Sequence, residues 1–151
     1  MAIVRKHELR ETYRGVAFPW LCDAMGHLAT QHYMAMFDVA SFHFLSMLGP
    51  PLRELADEHR GWADVRHEIN YEREVRAGEL VLVRSELLAA GRSSIRYRHS
   101  MVGEDNVARA VMTAVTVHFD LDARRAIPLP LLRGPSGSSG SPISHLCQSG
   151  Q

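Results

Sequence analysis

Apolar side chains in the first third of the chain recur at helical steps. Tyr33, Met36, Phe37, Ala40, Phe44, Leu45 and Leu48 follow one another at intervals of three and four, which predicts a helix over 30–48. Met34, Ala29 and Ala35 add apolar positions outside that stripe, so the helix is apolar nearly all round and belongs in a core. Thr30 is the expected N-cap, and Gly49 followed by Pro50-Pro51 stops the helix. Residues 17–29 before it read as a loop opened by Pro19, and His7 to Val16 as a short strand. PLRELADEHR, 51–60, reads as a second, exposed helix with Leu52, Leu55 and Ala56 on one side.

From Gly61 the period falls to two. Val65, His67, Ile69 and Tyr71 alternate with Arg66, Glu68, Asn70 and Glu72. Further strands are expected over 80–88, around Ile95 to Met101, and over 107–119. Turns at Ala77-Gly78-Glu79, Ala89 to Arg92 and Gly103 to Asn106 separate them. In the last strand Val111, Thr113, Val115, Val117 and Phe119 share one face. Ala108, Ala110, Met112 and Ala114 on the other would let the strand lie close to the helix. Short connections favour an antiparallel meander, and one long apolar helix is available to cover it. The expected architecture is α+β, a sheet wrapped round one central helix, over residues 1–133. The stretch GPSGSSGSPISHLCQSGQ, 134–151, reads as a flexible tail.

The 151 residues fit one domain, and 46% hydrophobic content fits a real core. Seventeen basic and seventeen acidic side chains cancel, which argues against nucleic acid as a partner. No apolar run has the length of a signal peptide or of a membrane span, so no membrane partner is expected. Cys22 and Cys147 are far apart, and a reducing cytoplasm fits. No metal-ligand spacing, GxGxxG or GxxxxGK[ST] is present, so neither a metal nor a nucleotide cofactor is expected.

CDAMGH, with Tyr33 six residues beyond its histidine and FDVAS…LG after that, resembles the acyl-CoA thioesterases of the hotdog fold, in the branch that includes 4-hydroxybenzoyl-CoA thioesterase. INYEREVRAGE is similar to that family's strand-turn-strand. RSSIRYRHSM and ARAVMTAVTVHFDLDARRAIPLP are similar to its last two strands and their exit. The likeness covers residues 7–130. It departs at Ala29 and Thr30, where many relatives carry asparagine.

The resemblance implies hydrolysis of an acyl-CoA thioester, with coenzyme A as part of the substrate and no separate cofactor. It implies Asp23 as base or nucleophile and leaves that choice open. Backbone amides at the helix start, at Thr30 and Gln31, would hold the oxyanion, aided by the helix dipole. Gly26 would let the backbone approach the substrate, His27 would orient the loop or the thioester, and Tyr33 would pack near the acyl group. Arg92, Ser93 and Ser94, at a turn, are the expected phosphate contact. A homodimer or homotetramer is expected, because an unpaired sheet edge invites a second chain and the family builds its site at the subunit boundary.

Other readings stand beside these. Asp23 alone could be an ordinary loop acid, and Asp38 in the helix is the competing carboxylate. His43 reads as solvated or subunit-facing. His67, His99 and His118 read as satisfied sheet residues, His67 also having reach toward a neighbouring subunit's site. A hydratase or dehydratase of the same fold is disfavoured by the missing Asn-Pro in the loop. A non-catalytic acyl-CoA or acyl-carrier-protein binding module is the alternative of a different class. The acyl group itself is open.

Overall fold

Where the period changes, the architecture changes with it. The computed structural model describes residues 9–132. The chain runs through β1 (Arg10–Val16), a 3-10 turn (Pro19–Leu21), α1 (Thr30–Leu48) and α2 (Leu52–Asp57). It continues through β2 (Arg60–Tyr71), β3 (Leu80–Ala90), β4 (Ser94–Gly103), β5 (Ala108–Asp120) and β6 (Arg125–Ala126). The strand start expected at His7, the tail 134–151 and Cys147 lie outside the described residues. All pairings are antiparallel, in the order β1-β3-β4-β5-β2, with β6 on the end of β5. The single sheet curls round α1, the hotdog architecture.

The stripe at steps of three and four is the buried face of α1: Tyr33, Met36, Phe37, Ala40, Ser41, Phe44, Leu45 and Leu48. These side chains share one core with Ala110, Met112 and Ala114 of β5, so the small face of the last strand does lie against the helix. The cap differs from expectation. Ala29 is the N-cap and no side chain caps the helix, while Thr30 is its first residue. Gly49 ends it, its amide bonded to Leu45 O. The second helix stops at Asp57, three residues short of the expected end, because His59 takes a positive φ and Arg60 already belongs to β2.

The alternation expected along β2 is broken once. Asp64 stands opposite Thr116 and Arg66 opposite Val115, so Val65 is an extra, bulged residue. Val65 is therefore 61% exposed instead of sharing a face with His67. Past the bulge His67 stands opposite Ala114. Asp64 and His67 are thus both opposite buried, helix-side residues of β5.

A row of polar side chains crosses the sheet beneath α1. Thr12 Oγ1 lies 2.6 Å from Ser85 Oγ, which lies 2.5 Å from His99 Nδ1. His99 Nε2 lies 2.9 Å from Ser41 Oγ, and the Tyr97 hydroxyl donates to the same oxygen at 3.2 Å. Both nitrogens of buried His99 are therefore partnered. Burial, with a smaller push from neighbouring His67, lowers its pKa to about 3, so the imidazole is neutral. Thr116, also fully buried, donates to Asp64 at the open edge of the sheet. His118 is only half satisfied: Nδ1 meets Pro128 O at 2.7 Å, but among the described residues buried Nε2 has no partner.

Candidate active site

The loop ahead of α1 is a tight hairpin. Asp23 N donates to His27 O at 2.8 Å, Cys22 bridges to Leu28, and Ala29 N donates to Leu21 O at 3.0 Å. The chain therefore closes on itself, with Asp23 two residues past Leu21 and six before the N-cap Ala29. Gly26, at φ +77°, makes the reversal in a conformation that side-chain-bearing residues rarely adopt. Its carbonyl takes the Ala77 amide at 3.0 Å, and Leu28 N donates to Val75 O at 2.7 Å. The β2–β3 connection thus holds the hairpin along one side.

Asp23 is exposed. Its Oδ1 accepts from Met25 N at 2.8 Å and His27 N at 3.3 Å, an Asx turn that fixes the carboxylate. Among the described residues Oδ2 has no hydrogen-bond partner. Directly after the hairpin the amides of Thr30 and Gln31 begin α1. Neither donates to any group among the described residues. First-turn amides lack intrahelical acceptors and carry the positive end of the helix dipole. An exposed carboxylate oxygen and open donors thus flank one short hairpin.

His27 is half-buried, and its Nε2 lies 3.2 Å from Glu74 Oε2. Its ring is tied to the β2–β3 connection. Tyr33 is buried in the first turn of α1, edge-on to Tyr71 with ring centroids 5.2 Å apart. Burial raises its hydroxyl pKa, which the Val75 backbone partly offsets. It is a neutral packing residue beside the helix start. Asp38 is exposed on α1, away from the hairpin.

Arg92, Ser93 and Ser94 are not brought to Asp23 within one chain. Leu80, at the start of β3, pairs with Val16 near the hairpin, whereas the Arg92 turn follows the far end of that strand. Eleven residues of β3 span roughly 35 Å. The turn is braced from outside: Leu129 N donates to Arg92 O and His118 N to Ser93 O.

Beside the hairpin, pattern reading missed a charged hollow of about 560 Å³ lined by Arg73, Glu74, Arg76, Glu79, Asp105 and Arg109. Its guanidinium and carboxylate groups are equal in number, so it carries no excess charge for a polyphosphate. Buried Arg109 is locked by Glu79 at 2.6 Å, Val107 O at 2.9 Å and Asp105 at 3.1 Å. A Cβ at Gly103 would collide with its guanidinium. The signal was present as Gly103 six residues before Arg109, but only the fold shows why they belong together. Among the described residues no group of His, Cys, Asp and Glu could hold a metal, and no helix is long and apolar enough to cross a membrane.

Comparisons with known proteins agree with this fold. The Thioesterase-like superfamily model matches residues 16–135. A Staphylococcus aureus protein, SAV2348, solved in complex with CoA, superposes with a TM-score of 0.76 at 14% identity, over 85% of this chain and 81% of that one. DHNA-CoA thioesterase from Staphylococcus aureus gives 0.70 at 19% identity, over 78% of each chain. A thioesterase from Thermus thermophilus, complexed with coenzyme A and Zn, gives 0.68 at 24% identity, over 82% of this chain and 93% of that one. No curated protein sequence matches. With four-fifths of its length matched and the hotdog architecture in place, the chain belongs to the thioesterase-like superfamily and is by family a thioester hydrolase.

Proposed function

We propose that the chain hydrolyses an acyl-CoA thioester to the free acid and coenzyme A, with Asp23 as base or nucleophile. What supports this reading is the hairpin tied at its base by Ala29 N to Leu21 O, which carries Asp23 in the same short loop that leads into the open amides of Thr30 and Gln31. The carboxylate acts at the acyl carbon or on its attacking water, and the two amides receive the charge that grows on the carbonyl oxygen. His27, tied to Glu74, keeps the hairpin in place, and Gly26 lets the substrate approach the backbone. CoA in the solved relatives supports this substrate class.

A second chain completes the arrangement. β2 is an open edge. Pairing it with another β2 forms a homodimer, and two such dimers would form a homotetramer. The Arg92–Ser94 turn serves CoA phosphates only if a second subunit carries it to the hairpin of the first.

The test is hydrolysis of a panel of acyl-CoAs, read as free thiol, by wild type and Asp23→Asn. Turnover that falls in the variant while its oligomeric state persists supports the reading. No turnover in either protein favours a non-catalytic acyl-CoA binding module. Equal turnover in both moves the chemistry away from Asp23, to Asp38 first.

A further inference from the structure

The bulge at Val65 does more than break an alternation. Without it, Asp64 and His67 would point to opposite faces of β2. With it, both stand on the helix side, opposite Thr116 and Ala114. Bulges commonly re-aim a side chain beside a functional site. His67 Nε2 lies 3.6 Å from Asp64 Oδ2, with side chains 25% and 40% exposed. Asp64 Oδ1 is held from behind by the buried Thr116 hydroxyl, so the carboxylate is oriented, with Oδ2 on the His67 side. Asp64 also lies near the Tyr97 hydroxyl, whose pKa is raised by burial first and by Asp64 among its charged neighbours. A buried polar row therefore ends in an exposed carboxylate and imidazole that the hairpin chemistry does not use.

Their position relative to the hairpin gives them a task. Tyr71 of β2 touches Tyr33 in the first turn of α1, beside the Thr30 amide. Ile69 and then His67 follow on the same side of β2, Ile69 half-buried against the core. Four residues from Tyr71 to His67 span about 13 Å. An acyl group whose carbonyl sits at the helix start, and whose chain follows the seam between α1 and β2, passes tyrosine and isoleucine first. It then meets a carboxylate and an imidazole.

We infer that Asp64 and His67 are the distal end of the acyl-binding groove and select acyl groups carrying a hydroxyl about 13 Å from the carbonyl. This deepens the thioesterase reading and rests on its placement of the carbonyl at the helix start. Asp64 Oδ2 accepts the ligand hydroxyl proton, and the imidazole pairs with the same oxygen. A plain alkyl end would strip water from both groups without replacing it, and such a site discriminates strongly against the analogue lacking the hydroxyl.

The test is calorimetric binding to Asp23→Asn protein, so that affinity is read whether or not the wild type turns substrate over. Acyl-CoAs of about eight to twelve carbons are compared with their ω-hydroxy counterparts. At the matching length the hydroxylated ligand should bind about ten- to a hundredfold more tightly. Adding Asp64→Asn or His67→Gln should bring the ratio near one. Adding Arg66→Ala, on the outer face, should leave the ratio intact. Equal affinity of both series at every length, no binding of either, or a preference that survives both distal variants would overturn the inference. A wild type that binds with the expected preference but hydrolyses nothing would overturn the hydrolase reading alone.

Discussion

The hairpin around Asp23 and the row beneath α1 are both polar, and they are built in opposite ways. In the hairpin every side-chain contact of Asp23 is made two to four residues along the chain, at the surface, to backbone amides. In the row, Thr12 and Ser85 are 73 residues apart, and Ser41 and His99 are 58 apart. All four are buried. A local, wet polar site can lose a group at little cost in stability, so its residues are free to serve chemistry. A buried, long-range row cannot, because each missing partner strands another group in a medium without water.

The largest effect should come from the hairpin and touch activity alone. Asp23→Asn keeps an oxygen for the Asx turn and removes the carboxylate, so thioester hydrolysis should fall about 10²- to 10⁴-fold with little change in melting temperature. A variant that loses stability in step with activity would make Asp23 a turn former and erase the contrast.

The row should behave the other way. Ser41→Ala strands His99 Nε2 and takes one of its partners from the Tyr97 hydroxyl, at a cost of about 1–3 kcal/mol. Denaturant unfolding should show this, with turnover per folded molecule unchanged. Acid sharpens the contrast further. His99 has a folded pKa of about 3, below its ordinary 6.5. Above pH 6.5 the imidazole is neutral in both folded and unfolded chains, and stability does not depend on pH through this group. Between 6.5 and 3 the unfolded chain binds a proton that the folded chain refuses, so stability is lost as pH falls, by about 1.4 kcal/mol per pH unit. His99→Gln should flatten that stretch of the stability profile by one proton. An unchanged slope would mean that the imidazole is charged where it lies.

The smallest effect should be at the join between hairpin and sheet. His27→Gln removes a partner of Glu74 that is 3.2 Å away and only partly buried. Exposed pairs of this kind contribute about 1 kcal/mol or less. Turnover should drop less than about tenfold, and a larger loss would give His27 a direct part in the chemistry.

The same division explains what can be read from the sequence. The helix and the antiparallel strands are legible, because period is local, whereas residues 17–29 read only as a loop and Asp23, Gly26 and His27 stand out in it through the family resemblance. The bulge at Val65 is not, since one extra residue leaves the hydrophobic pattern almost intact while rotating all that follows. The expected N-cap is off by one residue because Thr30 has the right side chain and Ala29 the right backbone angles. His99 is expected to be satisfied and is. His67 carries the same sequence pattern, but sits at an open edge beside Asp64, a difference only strand order reveals.

Gly103 and Arg109 bear on how this molecule can vary. The guanidinium fills the space where any Cβ at 103 would stand, and three acceptors hold it there. A side chain at 103 evicts the guanidinium, and a shorter residue at 109 leaves Glu79 and Asp105 facing each other without a cation between them. The two positions are coupled through flexible side-chain ends, which can give way in part: a variant library that randomises them together should recover more folded members than one that randomises them separately.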